Sequence, residues 1–206
     1  DSSTQLGPLT TKKRLEEIKS RIFNVSFFGA AGTLASLGEV DGLNTQANLA
    51  KELNLNVPDV SWHSIRDNFC EVTGWLALVG SSLGKIAYDV MLMMQTETQE
   101  VAEPFLHGRG SSSTMPQKRN PDGAELIRAK ASIAIGNLSS MLNLMKSLPL
   151  TYSKDLQEDK VLVTSTSETL HLCLDCMIEI ITSLEVNKKS AETIINKTQA
   201  EDQKKR

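Results

Sequence analysis

Ile65-Arg66-Asp67-Asn68-Phe69-Cys70-Glu71-Val72-Thr73-Gly74-Trp75-Leu76-Ala77-Leu78-Val79-Gly80-Ser81-Ser82-Leu83-Gly84-Lys85-Ile86-Ala87-Tyr88-Asp89-Val90-Met91-Leu92-Met93 decides how this chain folds. Its large apolar residues Ile65, Phe69, Val72, Leu76, Val79, Leu83, Ile86, Val90 and Met93 follow one another in alternating steps of four and three. That spacing sets them along one seam of a helix, whereas a strand needs a period of two. The pattern predicts a helix from about Trp62 to Glu103, roughly 60 Å long at 1.5 Å per residue. One small domain does not cover a rod of that length, so oligomerisation through this helix is expected. Trp75, Leu78, Met91 and Leu92 lie off the seam, which suits a central position among other helices. Gly74, Gly80 and Gly84 weaken the helix and are read as places where a neighbour packs closely.

The rest of the chain reads the same way. Its six prolines, Pro8, Pro58, Pro104, Pro116, Pro121 and Pro149, bound long proline-free runs. A second long helix is expected after Pro121, with Asn120 as its cap, Pro121 in its first turn and a stripe of Ile127, Ala131, Ala134, Leu138, Met141 and Met145, ending before Pro149. A third runs from about Glu158 to Leu184 with Leu170, Cys173, Met177, Ile181 and Leu184 on one face, and a short amphipathic piece follows at Ala191 to Ile195. Shorter helices are expected at Lys12 to Phe28 and Thr45 to Leu53, with a turn-rich connection from Gly29 to Gly42. No strand pattern and no internal repeat emerges. The fold class is therefore all-α, a bundle of long helices.

Composition limits the function. The 206 residues are 40% hydrophobic, 23% charged and 4% aromatic, which supplies a sizeable core and argues against disorder. With 22 Lys and Arg against 25 Asp and Glu, a net charge of -3 offers no basic field for a nucleic acid or an anionic membrane surface. No stretch is read as a membrane span and Asp1-Ser2-Ser3-Thr4 lacks the pattern of a signal peptide, so a cytoplasmic protein is expected. Three cysteines fit a reducing compartment. Cys173-x-x-Cys176 beside His171 lacks a second ligand pair, so these are read as core residues and no metal or other cofactor is invoked. The start at Asp1 and the charged run Glu201 to Arg206 read as the ends of a piece of a longer protein.

Between Pro104 and Pro121 the periodicity stops. Phe105-Leu106-His107-Gly108-Arg109-Gly110-Ser111-Ser112-Ser113-Thr114-Met115-Pro116-Gln117-Lys118-Arg119-Asn120 forms a long loop between two rods, and such loops are usually functional or disordered. Four hydroxyls, the cations Arg109, Lys118 and Arg119, and the start of the next helix suit a carboxylate or phosphate. A solvated linker is the alternative. The loop does not end in Gly-Lys-Ser/Thr, so it is not a P-loop.

The run from Ser111 to Pro121 resembles the signature Gly-Ser-Ser-x-Met-Pro-x-Lys-x-Asn-Pro of the fumarase/aspartase superfamily, departing at Ser111 alone among the specified positions. Phe28 to Gly38, Trp62 to Asp67 and Leu83 to Ile86 look like the 3-carboxy-cis,cis-muconate cycloisomerase and adenylosuccinate lyase branch. Asp122 to Arg128 and Leu148 to Lys160 are similar to argininosuccinate lyase. The resemblance implies the central helical domain of that fold, residues 1–206 here, with 104–121 as the substrate and catalytic loop. It also implies a homotetramer acting on a small anionic dicarboxylate, with neither nucleic acid nor membrane as partner.

The implied reaction is an anti β-elimination releasing fumarate, argininosuccinate cleavage being ranked first on the spacing after Pro149. Adenylosuccinate cleavage, carboxymuconate cycloisomerisation and an inactive scaffold are the alternatives. Carried onto this sequence, Ser112 is the catalytic base, and Lys118 and Asn120 hold the carboxylate and its enolate-like charge with Ser113 and Thr114 beside them. Tyr152, Gln157 and Lys160 recognise the remoter part of the substrate. A serine base needs its developing alkoxide stabilised by backbone N–H groups, Lys118 or the positive end of the helix after Pro121. His63 and His107 are set aside as acids. The family's acid-side histidine segment has no match in this sequence.

Overall fold

The long apolar seam does form a helix. A computed structural model describes residues 2–62, 65–104, 114–115, 118–147 and 157–204. Six α-helices lie among these residues: α1 (Ser2–Ile22), α2 (Glu39–Leu53), α3 (Asp67–Met93), α4 (Asp122–Ser147), α5 (Gln157–Thr182) and α6 (Lys188–Lys204). The chain divides into two units, one of residues 1–79 and 133–169 and the other of 80–132 and 170–206. All three boundaries fall inside helices, α3, α4 and α5.

At 27 residues, α3 is shorter than expected, about 40 Å instead of 60. It stops after Met93 because the Thr98 hydroxyl turns back onto the carbonyls of Leu92, Met93 and Gln95, and Gln99 then adopts φ 46°. The buried stripe also differs from the expected seam. It runs through Cys70, Thr73, Ala77, Gly80, Leu83, Ala87 and Val90, while Phe69, Val72, Leu76, Val79 and Ile86 are half-buried. Small side chains occupy the innermost line since they let another helix approach, and the larger ones flank it. α3 is also long and apolar enough, by length and composition, to cross a membrane, which the sequence reading did not anticipate; 33% of its apolar 18-residue stretch is buried within the chain.

In the first unit Cys70 packs with Met141 and Leu144 of α4, joined at the edge by Phe69, Leu162 and Val163. Leu138 of α4 lies where a Cβ on Gly74 would meet it at 3.8 Å, ordinary contact. Asn137 donates to the Thr166 hydroxyl at 2.9 Å. The indoles of Trp62 and Trp75 donate to the carbonyls of Val25 and Thr11 at 3.1 and 2.9 Å, tying in α1 and the extended segment after it. That segment starts at Phe23, so the helix expected to Phe28 ends early. The turn-rich connection contains a short 3-10 helix, Ala35–Leu37, and three glycines at positive φ: Gly29, Gly32 and Gly38. Gly42 has no room for a side chain, because a Cβ there would lie 2.9 Å from that of Leu34.

In the second unit Ala124, Ile127 and Ala131 of α4 are buried, as are Leu170, Cys173, Met177 and Ile180 of α5. Two apolar expectations miss by one residue, since Leu144 and Ile180 are buried and Met145 and Ile181 exposed. One strand pair was not foreseen, Val101–Ala102 (β1) antiparallel to Glu185–Val186 (β2). At two residues each these strands are too short to show alternation in sequence.

One charge pair is buried in the first unit. Arg66 Nε lies 3.1 Å from Asp159 Oδ2, with side chains 14% and 4% exposed. The alignment is poor, and among the described residues neither atom gains a hydrogen bond. The guanidinium also lies 4.9 Å from the ring centre of Phe69. Burial pushes the Asp159 carboxyl above its ordinary value, and Arg66 pulls it back.

Two outcomes follow for stability. Gly74→Ala should stabilise by up to about 1 kcal/mol in urea unfolding, through helix propensity, since the added methyl meets only ordinary contact. Asp159→Ala should cost about 3 kcal/mol at pH 7, because the orphaned guanidinium cannot shed its charge. A carboxyl raised on folding favours the native state below its ordinary value, and that advantage fades as pH climbs through the raised one. Arg66→Ala should therefore cost more at pH 7 than at pH 4, where Asp159 can take up a proton; equal costs would contradict this.

Candidate active site

The end of the loop is fixed by a residue that precedes it. Glu103, 6% exposed, follows β1 directly and turns its carboxylate onto the start of α4. Oε1 accepts from the backbone N–H of Ala124 at 2.8 Å and Oε2 from that of Gly123 at 3.0 Å. Initial N–H groups of a helix have no partner within it and favour negative charge, so a buried carboxylate is well placed there. The Pro121 carbonyl accepts the first helical bond, from Glu125. The cap is thus Glu103 and not the expected Asn120. These donors are consequently occupied, and the helix terminus does not offer them to a substrate as expected.

The second fixed point is Arg119. Its Nη1 donates to Glu185 Oε2 at 2.6 Å, and its Nη2 to Glu185 Oε1 at 3.0 Å and to the carbonyl oxygen of Glu103 at 2.6 Å. The Glu185 carboxyl is held below its ordinary value by that hydrogen bond, and Arg119 is raised by the same contact. Arg119 therefore serves the fold of the loop, where the sequence suggested a cation aimed at an anion.

Lys118 and Asn120, on either side of Arg119, line an open cleft of about 1180 Å³ in the second unit. Met91 and Met94 of α3, Val101 and Ala102 of β1, Met115 of the loop and Val186 of β2 form its apolar wall. Tyr88, Gln95, Thr96 and Asn187 add polar groups. The Tyr88 ring carries the guanidinium of Arg128 at 4.4 Å from its centre. The Lys118 N–H donates to the Met115 carbonyl at 3.0 Å, a turn that brings the lysine to the cleft.

Of the expected site, then, the structure brings Lys118 and Asn120 together. Thr114 is exposed on the same loop. Ser112, Ser113 and Tyr152 lie outside the described residues, as do His63, His107 and Arg109. Gln157 and Lys160 stand in the first turn of α5, in the other unit, where Lys160 Nζ donates to Gln157 Oε1 at 2.8 Å. Cys173 packs as a core residue, whereas Cys176 is half-buried with its Sγ 3.9 Å from the Gly123 carbonyl. Among the described residues no group of His, Cys, Asp and Glu could hold a metal.

A family described as lyase matches residues 8–136. The chain belongs to the fumarase/aspartase superfamily of lyases. The 3-carboxy-cis,cis-muconate cycloisomerase of Pseudomonas aeruginosa is 48% identical over 141 residues, 68% of this chain and 30% of that protein. The argininosuccinate lyase of Clostridium botulinum is 35% identical over 199 residues, 93% of this chain and 44% of that protein. In three dimensions the chain is similar to the 3-carboxy-cis,cis-muconate lactonizing enzyme from Pseudomonas putida, with a TM-score of 0.83 and 34% identity over 94% of this chain and 43% of that one. The chain spans less than half the length of these relatives. The chain therefore combines higher identity to the cycloisomerase over a shorter stretch with a longer match at lower identity to the argininosuccinate lyase.

Glu103 and Glu185 were missed as site residues, and Arg119 was read as facing an anion instead of Glu185. Glu103 lies 20 residues before the N–H group it caps, and Glu185 lies 66 beyond Arg119. No local pattern joins them. Glu103→Ala should leave two N–H groups at the buried start of α4 unpaired and cost about 2 kcal/mol in urea unfolding, with faster amide exchange at Gly123 and Ala124. A variant as stable as the parent would show that the cap is dispensable.

Proposed function

We propose that this chain supplies the signature loop and central helices of a lyase that moves a proton at a carbon next to a carboxylate, by anti β-elimination or the reverse addition. What supports the reading most is the placing of Lys118 and Asn120 side by side on one cleft by the residue between them. In this scheme Ser112 takes the proton from carbon and the electron pair of that C–H bond moves onto the carboxylate. The enolate-like dianion that results is stabilised by the Lys118 ammonium and the Asn120 amide; the pair then returns to form the double bond as the C–O or C–N bond on the opposite face breaks. Preplaced charge of this kind is commonly the largest catalytic term.

The substrate is a small polycarboxylate of the 3-carboxy-cis,cis-muconate type, a reading supported by the 48% identity to the cycloisomerase. Argininosuccinate, with release of fumarate, is the second reading, favoured by the match over 93% of this chain and by the stretch from Leu148 to Lys160. The assembly is a homotetramer in the cytoplasm, built through the long helices. Leu126 and Ile133 of α4 stand one heptad apart at 48% and 50% exposure, and Ile178 and Ile181 of α5 share a face at 59% and 54%. Faces of that size on a single chain usually meet a partner. Lys85 and Asp89, exposed and half-buried on α3, fit such packing better than a lipid environment.

The test is ultraviolet absorbance of the protein as its gene encodes it, offered 3-carboxy-cis,cis-muconate, argininosuccinate and adenylosuccinate in turn, with the assembled mass measured alongside. Turnover of one is expected, with Ser112→Ala and Lys118→Met each reducing it at least about a hundredfold without unfolding the protein. A well-folded tetramer inert toward all three would leave the scaffold reading in place.

A further inference from the structure

The loop segment that carries Lys118 and Asn120 is gripped through Arg119. Three separated parts of the chain meet at its guanidinium. In the β1–β2 ladder Val101 faces Val186 and Ala102 faces Glu185, and the Asn187 N–H closes the pair on the Glu100 carbonyl at 2.8 Å. This register brings Glu185 alongside the Glu103 backbone, so one guanidinium reaches the Glu185 carboxylate with two nitrogens and the Glu103 carbonyl with one of the same two. Glu103 in turn fixes the start of α4.

Stability does not account for this arrangement. The side chains of Arg119 and Glu185 are 34% and 58% exposed, and exposed ion pairs contribute little to folding. A planar fork held at both ends restricts direction as well as distance, which an ammonium cannot do. We propose that Arg119 and Glu185 are positioning residues, whose ion pair holds Lys118 and Asn120 against the cleft in the orientation the carboxylate requires. This rests on the lyase reading above, since it assigns the pair a part in that site.

The test uses the full protein with Glu185→Gln, Arg119→Met and the double variant, comparing thermal midpoint, amide exchange of the segment 114–122 and kinetics on whichever of the three substrates the parent turns over. The expected result is a midpoint close to the parent's and several-fold faster exchange in that segment for every variant. kcat should fall about ten- to a hundredfold with little change in KM, as for misplaced reacting groups. The double variant should lose no more than Arg119→Met alone, because both act through one contact. Unchanged exchange overturns the inference whatever the activity, and faster exchange with unaltered kcat overturns the positioning role. If the parent turns over nothing, faster exchange in the variants still supports the clamp on Lys118 and Asn120, and the failure falls on the lyase reading instead.

Discussion

The carboxylate of Glu103 on the first N–H groups of α4 is the contact from which the order of the loop end follows. A buried carboxylate is costly unless its oxygens are satisfied, and here each accepts a backbone N–H that would otherwise be orphaned. The same residue gives its carbonyl to Arg119, so the start of α4 and the last loop residues are referred to one point. β1 matters for the same reason. Two residues of ladder add little stability, yet their register decides that Glu185 stands opposite Ala102, beside the segment Arg119 must reach.

Helix packing sets the second constraint. A seam of large residues on α3 suggests that they face inward, but the innermost line is Cys70, Thr73, Ala77, Gly80, Leu83, Ala87 and Val90. Both lines obey the helical period, so periodicity alone cannot separate them. Volume does, because neighbouring helices approach where side chains are small. In the first unit Leu138 comes near Gly74, and in the second Ala131 comes near Gly84. The larger residues beside that line remain partly exposed on the single chain, which is the physical content of the expectation that this helix serves an assembly.

Legibility in the sequence follows the range of each interaction. The long helices were readable because their signals recur every few residues, and so was the loop, where recurrence ceases. The one-residue exchanges of Met145 for Leu144 and of Ile181 for Ile180 reflect how a straight helix drifts relative to a strict heptad. Asp159 is buried against Arg66, 93 residues earlier in the chain, a pairing that no local pattern announces. Lys118 and Asn120 were readable because a motif of adjacent residues carries them. Glu103 and Glu185 were not, since their partners are distant in sequence and the two-residue ladder that aligns Glu185 has no periodic signature.

The loop's charges therefore divide their work differently from what composition suggests. Three cations, a helix terminus and a run of hydroxyls were expected to converge on one anion. Arg119 is committed to Glu185 and Glu103, and the N–H groups of Gly123 and Ala124 are committed to the Glu103 carboxylate. Under the lyase reading, commitment of these groups leaves less positive potential to hold a bound carboxylate in the ground state. Lys118 and Asn120 line the cleft on either side of Arg119. One ammonium and one amide favour the state with more charge on the carboxylate oxygens over the ground state, and it is the difference between the two that lowers a barrier. A site with every donor aimed at the substrate would bind it more tightly and gain less in rate. Under the proposed lyase reading, the pairing of Arg119 fixes the direction of its neighbours and also keeps its own charge off the bound carboxylate.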